Sequence, residues 1–252
     1  MLLPPRYHDQ KNADRRYPVL YLNDGQNLFD KATSVFNSME WGVDETLARL
    51  YADGSVSPLI VVGIDNAGRM GRANEYLPYP DEFLSPPLAN PQGDLYPKFL
   101  VEEVMPFVAR RFRIRSGRSN TSIGGSSYGA LAALYTYGRH PNTFGRLLIE
   151  SPSLYVSNGK IFDELKPDIQ GAMTLPEKIY IGVGTNEIEA RECKTGDQGG
   201  EAVSDVRRLE RLLRENGMPQ DRIFVVVEEC AVHDEQAWGR RLPTSMKFLY
   251  AR

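Results

Sequence analysis

At 252 residues, 41% hydrophobic and 25% charged, the chain has the balance of an ordinary soluble globular protein and is long enough to bury a large core. Its formal net charge of -3 gives no support to nucleic acid or an anionic membrane as a partner. No apolar run reaches the roughly 18 residues that a membrane span needs.

The opening MLLPPRYHDQKNADRRYP lacks the apolar stretch of a signal peptide. The two cysteines, Cys193 and Cys230, make neither a disulfide framework nor a metal pattern. Together these features predict two free thiols in a reducing compartment and a cytoplasmic location, or a secreted one if a leader was trimmed before residue 1. Six short apolar runs follow in chain order: PVLYLN from Pro18, LIVVGI from Leu59, TSIGG from Thr121, RLLIES from Arg146, KIYIGVG from Lys178 and RIFVVVEE from Arg222. Each is apolar continuously rather than alternately, which predicts strands buried on both faces. Helical spacing fills the intervals. EWGVDETLARLYADG should stop at Gly54, and EAVSDVRRLERLLRENG at Gly217. DLYPKFLVEEVMPFVARRF should kink at Pro106, and EQAWGRRLPTSMKFLYAR should break or restart near Pro243.

Strands alternating with helices predict an α/β fold, a mainly parallel central sheet with helices on both faces, in one domain over 1–252. Right-handed crossovers put all strand C-terminal ends on one edge, where ligands bind. The long loops after LIVVGI and KIYIGVG are therefore of interest. The first, from Asp65 to Asp94, is too proline-rich for a helix and should wall a pocket.

At that edge, Gly125-Ser126-Ser127-Tyr128-Gly129 fits G-x-S-x-G with Ser127 at its centre. It follows a predicted strand and opens an alanine-rich helix. A strand turning sharply into a helix strains the middle residue, exposes its hydroxyl and needs small neighbours. The next amide, of Tyr128, then sits at a helix N-terminus and can stabilise an oxyanion. Ser126 has a packing or hydrogen-bonding role.

A nucleophilic serine needs a base, and the chain has three histidines. His8 precedes every core strand, and His140 reads as a helix-end residue. His233 follows the last strand, at the ligand edge, and is the expected base. The orienting carboxylate should come between serine and histidine in the chain. Glu187, directly after the fifth strand, leads, with Asp197, Asp234 and Glu189 as alternatives. The second oxyanion donor is expected in YLNDGQNLFD, from the amide of Gln26 or, failing that, Gly25. The remaining contacts to substrate are expected from Asp24, Gly25, Arg72, Tyr79, Phe83 and Trp238; no metal ligands are expected.

These residues resemble the putative esterase family of α/β-hydrolases, which includes esterase D, enterochelin esterases and feruloyl esterases. YPVLYLNDGQNLFD is similar to its oxyanion loop, GGSSYGALAALY to its nucleophile elbow, YIGVGTNE to its acid loop and VHDEQAW to its histidine segment. RANEYLP resembles an Arg-x-x-Glu feature of the family and implies an ion pair between Arg72 and Glu75. The resemblance implies an α/β-hydrolase fold and a serine carboxylic-ester hydrolase that needs no cofactor. Its substrate would be a small-molecule or carbohydrate-linked ester, with aryl or hydroxycinnamoyl esters favoured by the aromatic residues of the loops. A siderophore trilactone esterase, an acyltransferase and a non-catalytic binding module on the same scaffold are the alternatives.

Overall fold

The computed structural model of the protein describes residues 1–35, 39–166, 174–187, 193, 196 and 198–251. All six apolar runs form strands: β1 (Val19–Asn23), β2 (Ile60–Ile64), β3 (Thr121–Ser126), β4 (Arg146–Glu150), β5 (Lys178–Gly184) and β6 (Ile223–Glu228). They pair in the order β2-β1-β3-β4-β5-β6, every neighbour parallel. Because β1 lies between β2 and β3, the chain reverses its winding direction there. The crevice between the ends of β1 and β3 is the topological switch point, where this class of sheet binds ligands.

Alternate residues of each strand serve two separate cores, as the pleat requires. Val19 and Tyr21 face one and Leu20 and Leu22 the other. The first core is covered by α4 (Ser127–Arg139), with Gly129 to Tyr137 buried along its whole circumference, and by α5 (Glu201–Glu215). The second is covered by α1 (Val43–Ala52) and α6 (Glu235–Tyr250). α1 and α5 end before Gly54 and Gly217, which take positive φ values of 73° and 91°. The segment from Tyr96 to Arg111, α3, absorbs Pro106 with a π turn over Phe99–Val104. The wider turn spares the chain the clash of a proline ring with the carbonyl four residues earlier.

Several expectations need correction. The loop after β2 contains a helix, α2 (Gly68–Tyr76), because its prolines begin only at Pro78. α6 runs unbroken through Pro243. Buried Trp238, Arg241 and Leu242 before it, and Ser245, Met246 and Leu249 after it, anchor both flanks against the sheet, and that packing outweighs one missing hydrogen bond. β6 is an edge strand and only half buried, with Phe224 40% exposed. Cys193 and Cys230 are joined in a disulfide, not free. Thirty-seven residues separate them in sequence, so only the approach of the loops after β5 and β6 could reveal the pair. The bond removes the support that free thiols lent to a cytoplasmic location. Among the described residues, no helix is long and apolar enough to cross a membrane.

Candidate active site at the switch point

Ser127 is the first residue of α4 and has φ +56°, in the left-handed region that strains a non-glycine residue. The small residues around it are explained by distance. A Cβ on Gly125 would lie 2.8 Å from the Gly129 carbonyl, and one on Gly129 would lie 2.7 Å from Asp24 Oδ2. The first turn of α4 is thus pressed onto the ends of β3 and β1. The Ser126 side chain is buried, and its carbonyl accepts a bond from Arg72 Nη2 at 3.3 Å.

His233 lies five residues past β6, and its Nδ1 is 2.6 Å from Glu187 Oε2. The Glu187 side chain is only 2% exposed. Burial pushes its pKa up, but bonds from His233, from the Ser151 hydroxyl (2.6 Å) and from the Gly184 amide outweigh it and hold the carboxyl below its usual range. With Nδ1 engaged by the carboxylate, Nε2 is the ring nitrogen left for other partners. Asp234 makes a different contact: its Oδ1 caps α6 by accepting the Ala237 amide at 2.8 Å. Asp197 and Glu189 lie outside the described residues. His140 caps the C-terminal end of α4, its amide donating to Thr136, and His8 packs against Tyr7 in the N-terminal segment.

Ser127 and His233 together line two cavities. The smaller, about 190 Å³, is polar and includes Asp24, Arg72, Glu235 and Trp238. The larger, about 350 Å³, includes Phe83, Ser153, Tyr155 and Glu187. Ser153, which no motif marks, places its hydroxyl 3.4 Å from Ser127 Oγ.

The turn after β1 has Asp24 at φ +60°, followed by a 3-10 turn over Gly25–Asn27. Amides that open such a turn have no partner within it. A side-chain bridge fixes the turn: Gln26 Nε2 donates to the Asn66 carbonyl at 3.0 Å, and Gln26 Oε1 accepts the Asn66 amide at 3.0 Å. Packing requires a glycine at position 25, since a Cβ there would lie 2.8 Å from the Gly63 backbone.

The pairing expected of Arg72 is corrected. Arg72 holds Asp24, not Glu75, through two parallel bonds of 2.7 and 2.8 Å. Glu75 instead accepts the Ala67 amide at 2.7 Å. One helical turn separates Arg72 from Glu75, but the buried Asp24 carboxylate, also bonded by Asn66, offers the guanidinium a bidentate partner. The aromatic residues divide. Phe83 is 74% exposed, lines the larger cavity and packs edge-on against Tyr155. Tyr79 lies in the core, 3% exposed, against Tyr135, and is not among the residues that line either cavity. Trp238 is largely buried; its ring meets the His233 imidazole at 87° and its Nε1 donates to Ser151.

A family model described as Putative esterase matches residues 1–249. The chain belongs to that family. This esterase is 20% identical to YbbA of Bacillus subtilis over the whole chain and 92% of that protein. It is 30% identical to a siderophore enterobactin esterase of Emericella nidulans over 61% of the chain and 52% of that protein. A further relative is an endo-1,4-beta-xylanase/feruloyl esterase of Xylanibacter ruminicola, 25% identical over 70% of the chain. The chain spans about half of the former esterase and 21% of the latter protein. Among solved structures, a ferulic acid esterase superposes with a TM-score of 0.68 at 18% identity, covering 98% of this chain and 90% of that one. The enterobactin esterase of Shigella flexneri gives 0.67 at 21% identity, covering 93% and 51%. The fold is that of the α/β-hydrolases, and the protein is a carboxylic ester hydrolase.

Proposed function

We propose that the esterase works through an acyl-enzyme, with Ser127 as nucleophile, His233 as general base and Glu187 as the group that orients it. The observation that carries this reading is the 2.6 Å contact between Glu187 and His233, beside a serine held at positive φ in the same cavities. Ser127 Oγ attacks the ester carbonyl carbon and passes its proton to His233 Nε2. The amides of Gln26 and Tyr128 receive the oxyanion. Collapse expels the alcohol, which takes the proton from His233. Water then attacks the acyl-serine by the same route and releases the acid. The scheme requires no cofactor.

For substrate we infer an aryl or hydroxycinnamoyl ester. The edge-on pair of Phe83 and Tyr155 walls a cavity wide enough for an aromatic acyl group. A siderophore lactone is the second reading, favoured by the 30% identity to the Emericella nidulans enterobactin esterase. Against it, the charge of Arg72 is committed to Asp24 and so is poorly placed to meet a catecholate.

A fluorophosphonate should label Ser127 stoichiometrically. Ser127→Ala should lose ester turnover by roughly 10³-fold or more while keeping its fold, and Ser126→Ala should retain measurable activity. Losses in the opposite order would overturn the assignment. Comparing kcat/KM for methyl ferulate with that for a catecholate trilactone decides between the two substrates.

A further inference from the structure

Ser151 is the first residue after β4. It has φ +41°, a left-handed value that serine seldom adopts, and its side chain is buried. Its amide still donates to the Gly182 carbonyl at 2.8 Å, so the strand ladder continues up to the strained residue. Three polar groups surround its hydroxyl. Oγ lies 2.6 Å from Glu187 Oε1, 2.9 Å from Trp238 Nε1 and 3.3 Å from Arg241 Nη2.

The chemistry of these groups fixes the direction of the bonds. An indole N–H and a guanidinium can only donate, and an ionised carboxylate can only accept. The Ser151 oxygen therefore accepts from Trp238 and Arg241, and its one proton goes to Glu187. The Gly184 amide also donates to Oε1, so two donors take up that oxygen and leave Oε2 for His233. Arg241 is itself held between two carboxylates, Glu150 at 2.7 Å and Glu228 at 2.8 Å. Trp238 and Arg241 lie three residues apart on α6, on one face of the helix. The same tryptophan ring packs edge-to-face on the imidazole, with 5.2 Å between ring centroids. One side chain thus supports both ends of the Glu187–His233 pair.

We propose that Ser151 and Trp238 are positioning residues, forming a directed chain from the Trp238 N–H through the Ser151 hydroxyl to Glu187, which holds the carboxylate in register with His233. The proposal rests on the reading of Ser127, His233 and Glu187 as the working triad. It gives Trp238, which also lines the smaller cavity, a supporting role toward Glu187.

A double-mutant cycle tests it, with Ser151→Ala, Trp238→Phe and the double variant assayed on one aryl ester. Phenylalanine keeps the ring against His233 and removes only the N–H. Ser151→Ala loses a hydrogen bond to a charged group and should lower kcat by about 10- to 100-fold; Trp238→Phe loses one to a neutral hydroxyl and should lower it by about 2- to 10-fold. KM should stay within about twofold, and the double variant should be no worse than the poorer single one. Ser151→Cys, with a weaker donor in the same place, should fall between wild type and Ser151→Ala. It also keeps the test alive if Ser151→Ala fails to fold. Losses that multiply in the double variant, an unchanged kcat in the serine variants, or a rise in KM alone for Trp238→Phe would each overturn the proposal. Ser127→Ala and fluorophosphonate labelling in the same assay separate the two levels. If Ser127→Ala turns over ester, the triad reading and this proposal fall together. If Ser127 is labelled and essential but the losses multiply, only the positioning chain is wrong.

Discussion

Asp24 shows what one buried charge demands of its surroundings. Its side chain is 3% exposed, and desolvating a carboxylate costs several kcal/mol unless it is paired. Arg72 supplies two bonds and Asn66 a third, at 2.7 Å. Arg72→Met should therefore destabilise the fold by about 3–5 kcal/mol, because Asp24 is left alone. Adding Asp24→Asn should recover much of that loss, which urea denaturation of the two variants would show. Glu187 gives a pH prediction. Its folded pKa lies below the ordinary 4.5, so in the window just below 4.5 the unfolded chain binds more protons than the folded one. Stability from this group is then fully present above 4.5 and is lost as pH falls through the lowered value. Plotting melting temperature against pH should show Glu187→Gln with a shallower acid limb than wild type; parallel limbs would mean that the carboxylate gains nothing from its bonds.

The loop after α2 behaves as an element in its own right, although it has little regular structure. Asp81, fully buried, accepts the Tyr128 hydroxyl at 2.7 Å and the Phe83 amide at 2.9 Å. Its backbone pairs with Leu88, and the Ser157 hydroxyl donates to the Pro80 carbonyl at 2.6 Å. The loop is thus tied to the first turn of α4 and presents Phe83 to the cavity already ordered, which lowers the entropy cost of binding. Phe83→Ala should leave the melting temperature nearly unchanged and raise KM for an aryl ester more than for a short alkyl ester. Tyr79→Ala should do the reverse. Truncating a core aromatic costs about 3–5 kcal/mol, roughly 6–20 °C in a chain of this size, and all substrates should suffer alike. An unchanged substrate ranking in Phe83→Ala would mean that the loop is scaffold only.

At the scale of the molecule, two distant strand ends must be held together for Glu187 to meet His233. The sheet does most of this: β5 and β6 are paired along their length, and past them the Asn186 amide bonds the Ala231 carbonyl at 3.0 Å. The Cys193–Cys230 disulfide closes the same pair of loops from outside, three residues before His233. Cross-linking residues 37 apart restricts the unfolded chain by about 4 kcal/mol in the loop-entropy account. Reduction, or Cys193→Ser with Cys230→Ser, should therefore lower the melting temperature by roughly 5–15 °C. Because the sheet already sets the register of β5 and β6, kcat well below the new melting temperature should fall by less than about tenfold. A larger fall would mean that the disulfide, not the sheet, holds the histidine loop in place.

The six strands were legible because continuous apolar runs between glycines and prolines have few other ways to leave water, and the serine turn because G-x-S-x-G after a strand is a local geometric demand. The order of the candidate site along the chain followed from the same local signals. What no local signal carried was the choice of partner. Glu187 is the exception: chain order put it first among the candidate acids, and it reaches the imidazole from 46 residues away while the adjacent Asp234 caps a helix. Arg72 passes over Glu75 for Asp24, two apparently unrelated cysteines bond, and Ser151 and Arg241 enter the network without any motif to mark them. α6 continues through a proline that sequence reads as a stop. Each of these outcomes turns on desolvation and close contact between segments far apart in the chain. Burial at the sheet's C-terminal edge makes an unpaired charge or donor too costly, and the tertiary structure decides which neighbour satisfies it.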